Sequence, residues 1–229
     1  MHVNTDFTRR VVMHGAAMPW VDSPVPGVQR RMLDRIGGEV ARATSIVRYA
    51  PGSAFSPHIH EGGEEFIVLE GVFSDEHADH PAGTYVRNPP TTRHTPRSAL
   101  GCVIFVKLWQ FDPTDRTPLV VDTERVHGEA VLLFEDERET VRLLNLAAHA
   151  TLEQSAPDGA ELLVLRGGLR EGDDALQPWS WLRVPRGGRV DAVAGTSGAR
   201  VWMKTRHLRD VHAPASAGPV ADRPESRSP

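Results

Sequence analysis

The sequence predicts an all-β protein made of two tandem copies of one domain, each a barrel or sandwich of short strands. Three observations carry that prediction. Apolar runs are short, four to eight residues, and Gly, Pro, Asp and Asn punctuate them, which is the pattern of strands joined by tight turns. No segment holds a helical period for more than two turns. The chain also repeats itself: "EFIVLEG" from Glu65 matches "ELLVLRG" from Glu161, an offset of 161 − 65 = 96 residues, and a fixed offset is the mark of an internal duplication.

The offset holds at separated landmarks. Gly71 matches Gly167 and Pro89 matches Pro185, both 96 apart, and the offset becomes 97 where Gly101 matches Gly198 and Lys107 matches Lys204. In the first copy the strands read as "VQRRMLD", "ATSIVRYA", "EEFIVLEG", "GTYVRNP" and "GCVIFVKLWQF". In the second they read as "EAVLLFED", "ETVRLLNL", "ELLVLRGG", "WSWLRVP" and "ARVWMKT". Many short strands at close spacing favour a sandwich or barrel. The domains divide as 1–112, a Pro- and charge-rich linker at 113–128, a second copy at 129–212, and a tail at 213–229 with the composition of disorder.

Composition narrows the function. The 229 residues carry a formal net charge of −4, with no run of Lys or Arg longer than two, so the clustered positive charge that nucleic-acid binding needs is absent. The Arg-rich "QRRMLDR" reads as the solvent face of a strand. No apolar run approaches the roughly 20 residues of a membrane span, and "MHVNTDFTRR" has no signal-peptide core. One cysteine, Cys102, sits in an apolar run, where it reads as a core residue, and no intramolecular disulfide is possible. The expectation is a cytoplasmic protein with a small-molecule ligand, no nucleic-acid or membrane partner, and an oligomeric state that leaves a homodimer open.

The chemistry concentrates in "PGSAFSPHIHEGGEEFIVLEG", residues 51–71. Side chains two apart on a strand share a face, so His58 and His60 can converge. Gly62 and Gly63 permit a reversal, after which Glu64 or Glu65 can return to the same point; spacing alone does not choose between them. His94, after the Pro-Pro turn of "GTYVRNPPTTRHTP", is the fourth candidate. Neutral imidazoles with one carboxylate suit Zn or Fe, and also Mn, Ni or Cu. His77, Asp79 and His80 in "DEHADH" read as a solvated loop, and His127, His149, His207 and His212 form no pattern. "PRGGR" reads as a turn, because no helix follows it. Arg48 and Tyr85 are permitted by strand parity to face the cavity, and spacing ties no general base to the site.

The first stretch fits G-x5-H-x-H-x3-E-x6-G at Gly52, His58, His60, Glu64 and Gly71. The second fits G-x5-P-x4-H at Gly83, Pro89 and His94, with Thr91 where a Gly is usual after the proline. These are the two motifs of the cupins, and the chain resembles that superfamily. Residues 20–111, notably "GEEFIVLEGVFSDEHADHPAGTYVRNPP", are most similar to the cupin domain of ChrR-type anti-sigma factors. The resemblance implies two jelly-roll barrels and one metal per chain on His58, His60, Glu64 and His94, which selects Glu64 over Glu65. Those factors carry a helical, zinc-binding, sigma-gripping domain before the cupin. With the first strand near Val28 and one cysteine, the expectation is that a sigma factor is not gripped that way. Shifting by 96 places Gln154, Ala156, Ala160 and Val190 at the four ligand positions, so the second copy is expected to be metal-free. Two functions stay open: a mononuclear metal enzyme of dioxygenase type acting on a small oxygenated compound, or a non-catalytic metal-dependent sensor of the ChrR type, linked to oxidative stress or transcription.

Overall fold

A computed structural model describes residues 1–215. The tail expected from Ala213 lies outside the described residues from position 216 onward. The first copy's expected strands appear as Val28–Gly37, Ala41–Tyr49, Glu64–Ser74, Thr84–Asn88 and Cys102–Leu108. The second copy's appear as Ala130–Glu135, Thr140–Leu146, Ala160–Glu171, Ser180–Val184 and Gly188–Thr205. Among the described residues the only helical pieces are the short 3-10 turns Gly15–Ala17 and Thr123–Arg125.

Both halves have the same antiparallel order. In the first, Cys102–Leu108 lies between Ala41–Tyr49 and Glu64–Ser74, with Val28–Gly37 and Thr84–Asn88 outside them. In the second, Gly188–Thr205 is central between Thr140–Leu146 and Ala160–Glu171, flanked by Ala130–Glu135 and Ser180–Val184. A second layer of short pairs covers the first sheet, including His58–Ile59 with Arg93–His94. The hydrogen-bonded ladder of neither half returns to its starting edge. Each half is a jelly roll, as expected, with its ladder left open rather than closed into a barrel.

Two segments lie elsewhere than the sequence suggests. Leu119–Asp122, in the stretch read as a linker, is a strand on the outer edge of Thr84–Asn88. Val11–His14, assigned to the first domain, pairs instead with Ser180–Val184 of the second half. The leading segment of each half thus crosses to cap the equivalent edge strand of the other. Each crossing satisfies a row of N–H and C=O groups that an open sheet edge would leave unpaired.

The interior divides into three cores. One lies within the first half around Phe66, Phe73 and Ile104, and one within the second around Leu162, Val164 and Met203. The third is the seam between halves, where Ile46, Tyr85 and Phe105 pack with Leu163, Trp181 and Trp202. Ions are buried in the seam. Lys204 Nζ lies 2.7 Å from both Glu65 and Glu139, and Lys107 pairs with Glu161. Tyr85 hydroxyl donates to Glu65, and Trp181 Nε1 donates to Glu161 at 3.3 Å. Glu65 and Glu161, Lys107 and Lys204, and Tyr85 and Trp181 are repeat equivalents, so the seam has a pseudo-two-fold in which each half's glutamate takes the other half's lysine.

The repeated glycines have an equally physical origin. A Cβ at Gly71 would stand 2.1 Å from the Gly101 carbonyl oxygen, and one at Gly167 would stand 2.1 Å from that of Gly198. Residues 28–37 correct the expected solvent face: Leu33, Asp34 and Arg35 are buried. Arg183 reaches across the seam to Asp34 at 3.1 Å, and His2–Val3 covers the strand's far end. No described helix is long and apolar enough to cross a membrane.

Removing one member of a buried ion pair strands the other charge in a medium that solvates it poorly, at a cost of about 3–5 kcal/mol. Lys204→Met is therefore expected to lower the urea midpoint sharply. Asp191→Ala, which breaks the exposed Arg189–Asp191 pair, should leave the unfolding curve unchanged. Equal small effects from both would contradict the assignment of the seam.

Candidate metal centre

His58 and His94 face each other across the pairing of His58–Ile59 with Arg93–His94, and directly opposed residues share a face. His60 continues the ladder through its backbone bonds to Thr91 and Thr92. The donor atoms of His58, His60 and His94 all lie within 4.8 Å of one another. Glu64 enters from the next strand, its Oε2 at 3.4 Å from His60 Nε2 and 3.6 Å from His94 Nε2. Asn88 Nδ2 donates to that carboxylate at 3.3 Å. Glu65, one residue on, points to the opposite face and into the seam, so the structure brings Glu64 and not Glu65 to the histidines.

Each imidazole has its Nδ1 turned to an acceptor. His58 Nδ1 is 3.3 Å from the Ser56 carbonyl, and His60 Nδ1 is 3.0 Å from Thr92 Oγ1. Thr92 donates its own hydroxyl proton to the Pro89 carbonyl, so toward His60 it accepts. His94 Nδ1 lies 3.4 Å from Asp75 Oδ2. The Nε2 atoms of His60 and His94 are 3.2 Å apart, and Glu64 Oε2 lies within 3.6 Å of both. Three imidazoles and a carboxylate brought to one point are a donor set that fits a metal ion. Burial lowers the pKa of His60 to about 4 and also lowers that of His94, which keeps both neutral and able to ligate at pH 7.

The turn that delivers Glu64 is shaped by packing. A Cβ on Gly62 would stand 2.3 Å from the Trp109 ring, and one on Gly63, at φ +77°, would stand 2.4 Å from Phe111. Thr91 also adopts φ +77° at the position where related motifs have glycine. A β-branched residue is an outlier there, and the strain sits in the turn that carries Thr92 to His60.

Several residues were not legible as site residues. Asp75 is buried and accepts from the His77 and Ala78 amides while facing His94. His80, read as part of a solvated loop, is buried on the strand Asp79–Pro81, 3.6 Å from Asp75; His77 and Asp79 are exposed as expected. Arg48 and Tyr85 do not face the cavity. Arg48 stacks on Trp20 outside and Tyr85 lies in the seam. Tyr49 lines the cavity instead, with its ring held edge-on by Phe55 and Phe73. The cavity is about 440 Å³ and opens over the histidines. In the second half Ala156, Ala160 and Val190 are fully packed in apolar core, and among the described residues no second cluster of this kind occurs.

Residues 8–112 match the family described as the ChrR cupin-like domain. Over those residues the first half is similar to that domain. A candidate dioxygenase from Nostoc punctiforme has a similar structure, with TM-score 0.72, 15% identity, and coverage of 93% of this chain and 88% of that one. Protein Ylba from E. coli gives 0.67 at 12% identity, covering 90% and 94%. The pirin YhhW from E. coli, solved with nickel(II), gives 0.64 at 13%, covering 86% and 98%. At these identities the likeness establishes the fold alone, a cupin fold that takes in both halves. No curated protein matches the sequence.

Second residues that orient metal-binding histidines are worth about 10–100-fold in metal affinity. Asp75→Asn keeps the acceptor for the His77 and Ala78 amides but no longer fixes the His94 tautomer. Zinc titration of this variant should show a 10–100-fold weaker Kd with an unchanged far-UV spectrum. Wild-type affinity would show that Asp75 does not orient His94.

Proposed function

We propose that this protein is a mononuclear metal-binding bicupin whose first half acts as a dioxygenase-type enzyme on a small oxygenated compound. The observation that carries the reading is the convergence of three imidazoles: the donor atoms of His58, His60 and His94 lie within 4.8 Å of one another, and Glu64 Oε2 approaches two of them. A metal on these residues supplies Lewis acidity or, as ferrous iron, the redox chemistry that zinc lacks. Iron or zinc fits the ligand set best, and nickel suits it too, as in the pirin solved with that metal. The single cysteine, buried Cys102, accords with a reducing, cytoplasmic setting.

The chain's own residues define the rest. Asn88 and Asp75 orient Glu64 and His94. Gly62 and Gly63 let Trp109 and Phe111 close over the ligand-bearing turn. The cavity above is of a size for one small molecule. The candidate dioxygenase among the structural neighbours supports an oxygen-using enzyme. The match of residues 8–112 to the ChrR cupin-like domain supports a second reading, a metal-dependent sensor whose site state is read by a partner.

One experiment separates them. The protein loaded with Fe(II) is offered dicarbonyls and phenolic ketones in an oxygen electrode, beside a zinc-loaded control. The enzyme reading predicts oxygen uptake that chelation abolishes, that iron but not zinc restores, and that His94→Ala removes. Tight native zinc with no uptake on any compound would favour the sensor, and uptake that survives His94→Ala would place the chemistry elsewhere.

A further inference from the structure

The cavity over the histidines has a marked chemical bias. Its charged lining is entirely acidic: Glu39, Glu61 and Glu64, with no lysine or arginine. Glu64 belongs to the ligand set, and Glu39 is answered by Arg30 at 3.2 Å. Glu61 has no cationic partner among the described residues. The remaining wall is apolar. Val40 is 44% and Ile59 is 62% exposed at the mouth, and Leu108 with the Trp109 ring forms one side. Two large aliphatic side chains left in water at the entrance of a cavity are the surface a ligand's apolar body would cover.

The polar element available for orientation is Tyr49. Its side chain is half-buried against the cavity. No described residue hydrogen-bonds it, whereas a tyrosine hydroxyl in such a setting normally finds a partner. Its ring is fixed between Phe55 and Phe73 at centroid distances of 5.2 and 5.8 Å.

Resting on the metal-centre reading above, we propose that the site selects an uncharged or cationic molecule with an apolar body and an oxygen donor, and excludes carboxylates. The oxygen turns toward the histidines and accepts from Tyr49. The apolar body lies against Trp109, Val40 and Ile59, and the distal end passes Glu61. A carboxylate at the ligand's distal end would lie near Glu61 with no lysine or arginine on this wall to answer it.

The test uses three probes with one metal-seeking head and different distal charge: catechol, 3,4-dihydroxybenzylamine and 3,4-dihydroxybenzoate. Each is titrated calorimetrically into the zinc-loaded full chain at low salt, with zinc content measured on the same sample and a metal-free arm alongside. Catechol and the amine should bind about tenfold or more tighter than the benzoate, since a like charge near an unscreened carboxylate costs on that order, and salt should narrow the gap. Glu61→Lys, at an exposed position, should remove or invert the preference, and Tyr49→Phe should weaken catechol about tenfold with zinc content unchanged. Equal or tighter benzoate binding, an unaltered order in Glu61→Lys, or no binding of any probe to fully zinc-loaded protein would each overturn the proposal while leaving the metal centre intact. Protein that takes up no zinc would overturn both.

Discussion

Two consecutive glutamates on one strand tie the site to the fold. A β-strand sends successive side chains to opposite faces, so Glu64 and Glu65 cannot do the same work. Glu64 turns to the histidines of the first half. Glu65 turns to the seam, where it takes Lys204 of the other half at 2.7 Å and the Tyr85 hydroxyl. A register slip of one residue would empty the candidate metal centre of its carboxylate and the seam of its anion together. The strand is therefore fixed from both sides by charge as well as by apolar packing.

The duplication explains what each half has kept. Lysine and glutamate recur in both because each half needs them to meet the other: Lys107 serves Glu161 as Lys204 serves Glu65. The close-approach glycines recur for a reason internal to each half, Gly71 against the Gly101 carbonyl and Gly167 against that of Gly198. The ligands have no such duty, and in the second half Ala156, Ala160 and Val190 fill the equivalent space with apolar core. The exchanged edge strands, Val11–His14 and Leu119–Asp122, complete the joining. One half is a site; the other is the body against which that site is held.

Much of this was readable in the sequence, for identifiable reasons. Strand runs such as "GCVIFVKLWQF" announce themselves by apolar length, and the four-ligand motif by spacing. The seam lysines were visible only as landmarks of a repeat, because nothing in "FVK" or "WMK" says that the lysine is buried. Asp75 and His80 were hidden in a polar stretch that resembles any solvated hairpin. His80 packs against Phe66 and Phe73 of a different strand, which spacing does not reveal. Tyr49 and Arg48 are adjacent, and only the true register decides which one faces the cavity. Crossing of the leading strands left no signal, since Val11–His14 would read alike on either sheet.

The most direct test of the account is the X-ray absorption spectrum of the metal in the protein as purified. The converging nitrogens predict one metal per chain with a first shell of three imidazoles and one carboxylate oxygen at about 2.0–2.2 Å, the imidazoles visible by their outer-ring scattering. A shell with fewer than three imidazoles, with sulfur, or with only water and carboxylate oxygens would contradict the assignment of His58, His60, Glu64 and His94.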